Sequence, residues 1–399
     1  MPPAVPRPLL LAGLGAAQIL GWGSTFYLPS VLGPSMGASL GLTQDIVFAG
    51  VTVMYLVGAT IAPAAGRAVD ARGARVVMAT GSVIAAAALV LLATAQDLSS
   101  YAAAWVVVGL MLPLTLGQVG FAAITQAVPG PATRRAMTLL TLITGFTSTL
   151  AWPATAALEA WLGWRGTCAV FAAAHLAIGL PLYLSVLPRA ASVRPAAGKG
   201  EAPPGTMPPG TIPFGRFVLL VLALGVPNAI GSGVQLVTIP LFAALGHAPA
   251  TAIALASLHG PAQVAARVVD LALGPRTTAM TTGLFSAIVL PLSLLPLAGG
   301  GSTLLAGLFV LLFGVANGLM TVVRAALPLE LAGPAGYGTL TGRLALPTNV
   351  MIALSPPLFA AVLARGGPLG AAALAFALSL IALAALATLA LERTREPRG

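Results

Sequence analysis

The chain has 399 residues, 58% of them apolar and only 7% charged, with a formal net charge of +10. Soluble domains carry about 25% charged residues, so this composition excludes a water-soluble globular protein. The basic residues sit singly between apolar runs, without interleaved aromatics, which excludes a nucleic-acid groove and indicates charge placed at a membrane surface.

A helical span needs about 20 predominantly apolar residues. Twelve stretches qualify, at 8–33, 45–66, 76–96, 101–127, 136–161, 164–187, 214–243, 248–268, 277–298, 302–326, 339–364 and 368–391. The expected fold class is therefore all-α, a membrane protein of twelve transmembrane helices. Segment 1 carries Gln18, Trp22, Thr25 and Tyr27. Segment 2 ends in the charged turn Gly66-Arg67-Ala68-Val69-Asp70-Ala71-Arg72-Gly73-Ala74-Arg75. Segment 4 offers Gln118 and Thr125, and Trp152-Pro153 predicts a kink in segment 5. The one long polar stretch, 188–213, is rich in Pro, Gly and Ala and reads as a linker. Segment 7 holds Asn228, Ser232 and Gln235. Segment 8 holds His259 and Gln263 and closes on a second charged turn, Arg267-Val268-Val269-Asp270. Segment 10 holds Asn317, Thr321 and Arg324.

The two charged turns place Asp70 and Asp270 200 residues apart, as are Arg165-Gly166 and Arg365-Gly366. Gly130-Pro131-Ala132 recurs as Gly333-Pro334-Ala335. These pairs divide the chain into a six-helix bundle at 1–187, a cytoplasmic linker at 188–213 and a second bundle at 214–399. An even number of spans per half makes the repeat parallel. With the N-terminus inside, every Lys and Arg except Arg165 and Arg365 lies on the inner side, which puts both termini in the cytoplasm. The single cysteine, Cys168, permits no intramolecular disulfide and no thiolate metal site. No cleavable leader is expected ahead of segment 1.

On these residues the chain resembles the major facilitator superfamily, whose loop between helices 2 and 3 reads G-x-x-x-D-R-x-G-R-R. Gly66, Asp70, Gly73 and Arg75 match, whereas Ala71 and Ala74 stand at two usually basic positions and Arg72 restores one charge. The resemblance implies a gate in which the Asp70 carboxylate meets the N-terminus of a helix in the other half, where the helix dipole is positive. Gly66, Arg67, Arg72, Gly73 and Arg75 shape that turn, and Arg267 and Asp270 form its second copy. It also implies a central cavity lined by helices 1, 4, 7 and 10. That assigns Gln18, Trp22, Thr25, Tyr27, Gln118, Asn228, Ser232, Gln235, Asn317, Thr321 and Arg324 to the substrate. The same polar side chains also serve as interhelical hydrogen bonders in membrane bundles, so each has two readings. Arg324 attracts an anion, snorkels, or pairs with Glu330. No carboxylate lies in the middle of a span. His259 is the candidate for proton coupling, against a structural hydrogen-bonded histidine.

These readings imply a secondary transporter that moves a small solute by alternating access, without nucleotide or other cofactor, with efflux across a bacterial inner membrane as the expected direction. Import of a small monocarboxylate-like organic anion is the alternative, and a non-transporting sensor on the same scaffold a further one. The expected partners are the solute and the lipid bilayer, with the chain a monomer. No nucleophile or histidine cluster at one depth suggests an enzyme.

Overall fold

The computed structural model describes residues 8–128, 130, 132–188, 212–334 and 336–395. Most of the expected linker, 189–211, and both chain ends lie outside them. The described residues contain helices and no strand: α1 (Pro8–Gly23), α2 (Leu28–Leu40), α3 (Gln44–Arg72), α4 (Ala74–Ala93), α5 (Leu98–Thr115), α6 (Gln118–Ala127), α7 (Ala132–Gly145), α8 (Thr147–Ala174), α9 (Leu180–Val186), α10 (Phe214–Ala244), α11 (Pro249–Ser257), α12 (His259–Leu273), α13 (Ala279–Leu294), α14 (Thr303–Ala332) and α15 (Tyr337–Arg395). A π-helical turn, His175–Gly179, joins α8 to α9.

Each of the twelve apolar stretches lies on helix, but among the described residues eight helical runs are long and apolar enough to cross a membrane unbroken. Two causes reduce the number. Short interruptions split segments 1, 5 and 8, as between α1 and α2, while α8 and α15 each run through two segments. In α8 the break is Gly163 at φ 64°, and in α15 it is Gly367 at φ 62°. Only glycine takes such backbone without strain. The same left-handed glycines recur along the chain: Gly41 with Gly246, Gly73 with Gly274, Gly130 with Gly333 and Gly163 with Gly367, each pair 201 to 205 residues apart. The duplication is therefore written into the turns as well as into the charges.

The described residues form two compact units, those within 1–211 together with 332–346, and those within 212–331 together with 347–399. The stretch 332–346, expected in the C-terminal bundle, thus groups with the N-terminal unit, and α15 begins in one unit and continues in the other. The first unit is built around Leu28, Leu32, Met36, Tyr101 and Trp105. Gly50 lets α3 lie against the Trp105 indole, where a Cβ would come within 2.5 Å of the ring. The second unit is built around Ile230, Phe242, Phe309, Phe313 and Phe359. Large apolar side chains such as Val90, Leu91, Leu380 and Ile381 are exposed on these helices. Hydrocarbon, not water, is the solvent that accepts them.

Helix α5 opens on a reciprocal cap. Asp97 accepts from Ser100 N at 2.8 Å, and the Ser100 hydroxyl accepts from Asp97 N at 3.1 Å. Hydrogen bonds from the Ser100 side chain, then its backbone, hold the Asp97 carboxyl down at about 2. A depressed carboxyl stabilises the fold above its unfolded value, about 4, and that contribution is lost as pH falls through about 2. The Tm difference between the protein and Asp97→Ala is expected to stay constant above about pH 5 and to narrow between about pH 4 and pH 2. A difference undiminished at pH 3 would show that the cap is not its source.

Candidate functional site

Helix α3 ends at Arg72, and Gly73, at φ 83°, turns the chain into α4. Asp70 stands in that last turn. Its Oδ1 accepts from Gly338 N at 3.0 Å and its Oδ2 from Thr339 N at 2.5 Å. Both donors are first-turn groups of α15, which have no partner within their own helix. The carboxylate therefore caps a helix 268 residues away, with charge and helix dipole in the favourable sense. Neither Arg72 nor Arg75 takes part. Arg67 and Arg72 are exposed and Arg75 is half-buried.

Small residues make this approach possible. A Cβ on Gly66 would overlap the Gly338 carbonyl oxygen and sit 2.8 Å from its carbon, and one on Gly342 would sit 2.5 Å from Ala62 O. Ala62 and Gly66 on α3 thus face Gly338 and Gly342 on α15, a small-residue pair on each helix at four-residue spacing. Gln126 secures the turn from a third helix: its Nε2 donates to Val69 O at 3.0 Å and its Oε1 accepts from Ala74 N at 2.8 Å. Sequence reading missed Gln126. The signal was its counterpart in the repeat, Glu330, which accepts from Ala279 N at 2.7 Å and pairs with Arg393.

The second copy of the turn is arranged differently. Arg267 and Asp270 are 7% and 5% exposed. Asp270 accepts from Thr282 Oγ1 of α13 at 2.8 Å. Arg267 donates from Nε to Gly318 O at 3.3 Å and from Nη2 to Gln263 Oε1 at 2.9 Å and Thr321 Oγ1 at 3.2 Å. Gln263 in turn meets His259 Nε2 at 2.6 Å. His259 lies tilted against Phe313, with ring centroids 5.5 Å apart.

The residues assigned to a cavity fall into three groups. Gln18 and Thr25 are bound up in helix backbone. Gln18 donates to the carbonyl of Thr115, which the break at Leu116 and Gly117 frees from its helical partner, and Thr25 donates to Gly21 O at 2.7 Å. Asn317 donates to Phe313 O at 2.9 Å, and Thr321 donates to Asn317 O at 3.0 Å. Gln235 is exposed on α10, Ser232 is half-buried there, and Arg324 is half-buried with interactions of its own. Trp22 and Tyr27 flank Phe26 edge-on at 5.9 and 5.0 Å, beside Tyr55. Two groups stand apart: Gln118 Oε1 and Asn228 Nδ2 are buried with no partner among the described residues. An unsatisfied buried amide costs about 1–3 kcal/mol, so each points to a missing partner, water or solute.

The sequence profile described as Major Facilitator Superfamily matches residues 14–342. The chain belongs to that superfamily. No curated protein sequence matches it. Among solved structures, the human organic anion transporter MFSD10 (TETRAN) is similar at TM-score 0.73 and 17% identity, covering 95% of this chain and 98% of that one. The E. coli fucose:proton symporter FucP aligns at TM-score 0.71 and 13% identity over 96% of this chain and 99% of that one. The proton:xylose symporter XylE aligns at 0.71 and 13% over 95% and 94%. At such identities these likenesses establish the major facilitator fold alone. That fold, with its membrane-length apolar helices, makes the chain a multi-pass membrane protein of a family of secondary transporters rather than enzymes.

Proposed function

We propose that this protein moves a small solute across a bacterial inner membrane by alternating access, in the direction of efflux, as a monomer with both termini in the cytoplasm. The observation that carries the reading is the Asp70 carboxylate on the N–H groups of Gly338 and Thr339. It is a charged, exposed and therefore reversible latch, made in one state of the cycle and released in the other. Within the first unit Gln118 Oε1, and within the second Asn228 Nδ2, is a buried amide atom unpartnered among the described residues, and each by itself supports a solute that hydrogen-bonds. His259, whose Nε2 is engaged by Gln263, is better read as structural than as the coupling group. Charge bias alone argues for cytoplasmic termini.

The test is accumulation of dyes, antibiotics, amino acids, carboxylates and metalloid oxyanions in cells expressing the protein or Asp70→Asn at matched membrane levels, with and without a protonophore. Efflux predicts that one compound accumulates less with the wild type alone. Greater accumulation with the wild type would reverse the direction. Equal accumulation across the panel would favour a sensor.

A further inference from the structure

We infer that His175 is a proton-binding site whose charge acts on the break in the first membrane segment, between α1 and α2. This rests on the transporter reading above and gives it a coupling proton. His175 is 2% exposed and opens the π-helical turn that joins α8 to α9. Its Nε2 lies 2.9 Å from Ser24 Oγ, in the turn between α1 and α2. Its carbonyl accepts from Leu180 N, which closes the π turn, and from Ser82 Oγ of α4 at 2.9 Å. Gly179 makes room for that hydroxyl, since a Cβ there would sit 2.8 Å from Ser82 Oγ and 3.6 Å from His175 Nδ1. Single π turns inside α-helices are rare and occur frequently at functional sites.

The ring is held on one side only. His175 Nδ1 is buried with no partner among the described residues. The Ser24 hydroxyl carries one proton. Given to Gly21 O, 3.4 Å away, it leaves Oγ to accept from Nε2–H, and Nδ1 is then a bare lone pair. Given to Nε2, it leaves Nδ1–H as an orphan donor. A histidine kept for structure alone has both nitrogens engaged, whereas either tautomer here leaves about 1–3 kcal/mol uncompensated. The bare lone pair takes a proton without any existing bond being broken. Once the ring is charged both nitrogens donate. Ser24 must then accept from Nε2–H and turn its own proton to Gly21 O, while Nδ1–H needs water or a freed carbonyl. The break supplies movable backbone, where Trp22 O receives Thr25 N at 3.4 Å and Tyr27 N at 3.1 Å. Among the described residues, the elements packed on the π turn bring no carboxylate near it. α1 has no titratable side chain, and the turn after it has Tyr27. α4 has Arg75, seven residues before Ser82, and α9 has Tyr183, eight residues after His175. α8 has Cys168, seven residues before His175, with Arg165 and Glu159 further back.

The test uses the full-length protein in detergent, labelled with isotopic histidine and fluorotryptophan and followed by NMR from about pH 3 to pH 9. The His175 and Trp22 signals are assigned by their loss in His175→Gln and Trp22→Phe. The His175 ring is expected to titrate and the Trp22 signal to shift at the same midpoint, since linkage between a proton and a conformation is reciprocal. The Trp22 shift is expected to vanish in His175→Gln and to persist in His259→Gln. Ser24→Ala is expected to leave His175 titrating and to cut Trp22 off from it. Should His175→Gln fail to fold, Ser24→Ala carries the comparison, with the His175 signal assigned as the one that survives both His247→Gln and His259→Gln. The proposal is overturned if the His175 ring does not titrate, if Trp22 follows pH equally in His175→Gln, or if Ser24→Ala leaves Trp22 following His175 as before. Flux in vesicles separates this site from the transport reading. An imposed pH gradient is expected to drive the compound that the wild type moves, and His175→Gln to lose that drive while retaining counterflow. Flux with a silent His175 would remove this site and leave transport standing, whereas a titrating His175 linked to Trp22, without flux of any compound in the panel, would do the reverse.

Discussion

Asp70→Asn is expected to lower flux in reconstituted vesicles about tenfold, with the protein still inserted and folded. The substitution keeps shape and removes charge. One carboxylate oxygen becomes an NH2 group facing a backbone N–H, so one of the two bonds to Gly338 and Thr339 turns repulsive. A hydrogen bond to a charged group contributes about 1.5–3 kcal/mol and the dipole interaction about 0.3–1. Asp70 is exposed, and solvent screening discounts both. A remainder of about 1–2 kcal/mol shifts the latched population about 5- to 30-fold, enough to starve a cycle that passes through that state. Asp70→Glu keeps the charge on a longer arm and should recover part of the flux. Wild-type flux in Asp70→Asn would refute the latch.

The charged turn was legible because it is local: a carboxylate, a turn glycine and flanking arginines within ten residues, repeated once; its partner, 268 residues away, was implied only by the family resemblance. The superfamily fold was legible for a related reason, since apolar length and charge bias follow from the bilayer itself. What failed to show was anything set by how closely two helices approach. The sequence places Arg267 and Asp270 in a turn like that of Asp70, yet both are buried, because Gly314 and Gly318 draw α14 onto α12. Gln18 and Thr25 have the spacing of cavity residues, but one answers a carbonyl freed by the break after Thr115 and the other its own preceding turn. Polar periodicity shows which face a residue occupies and not which partner reaches it first. Gln126 escaped notice because it lies at a helix end, away from the periodic stripe, and, like Glu330, it caps a helix that starts about 50 residues earlier.

Gly66→Val is expected to lower flux at least as far as Asp70→Asn, about tenfold, and also to lower Tm. At glycines such as Gly13 and Gly21 a new Cβ meets the movable tip of a side chain. At Gly66 it meets the Gly338 carbonyl and lies 3.1 Å from Gly342 Cα, and neither can rotate away. The helices must separate, and overpacking of this kind costs about 1–3 kcal/mol. Asp70 lies one turn beyond Gly66 on α3, so the same displacement draws its carboxylate off Gly338 N and Thr339 N. The two substitutions therefore act on one contact. Their combination should reduce flux no further than the stronger alone, the mark of sites that are coupled rather than independent. Gly215 supplies the control: no atom lies within 4 Å of a Cβ built there, and Gly215→Ala should leave flux and Tm unchanged. Additive losses for Gly66→Val and Asp70→Asn would mean that small residues and latch serve separate ends, with α3 and α15 held together for stability alone.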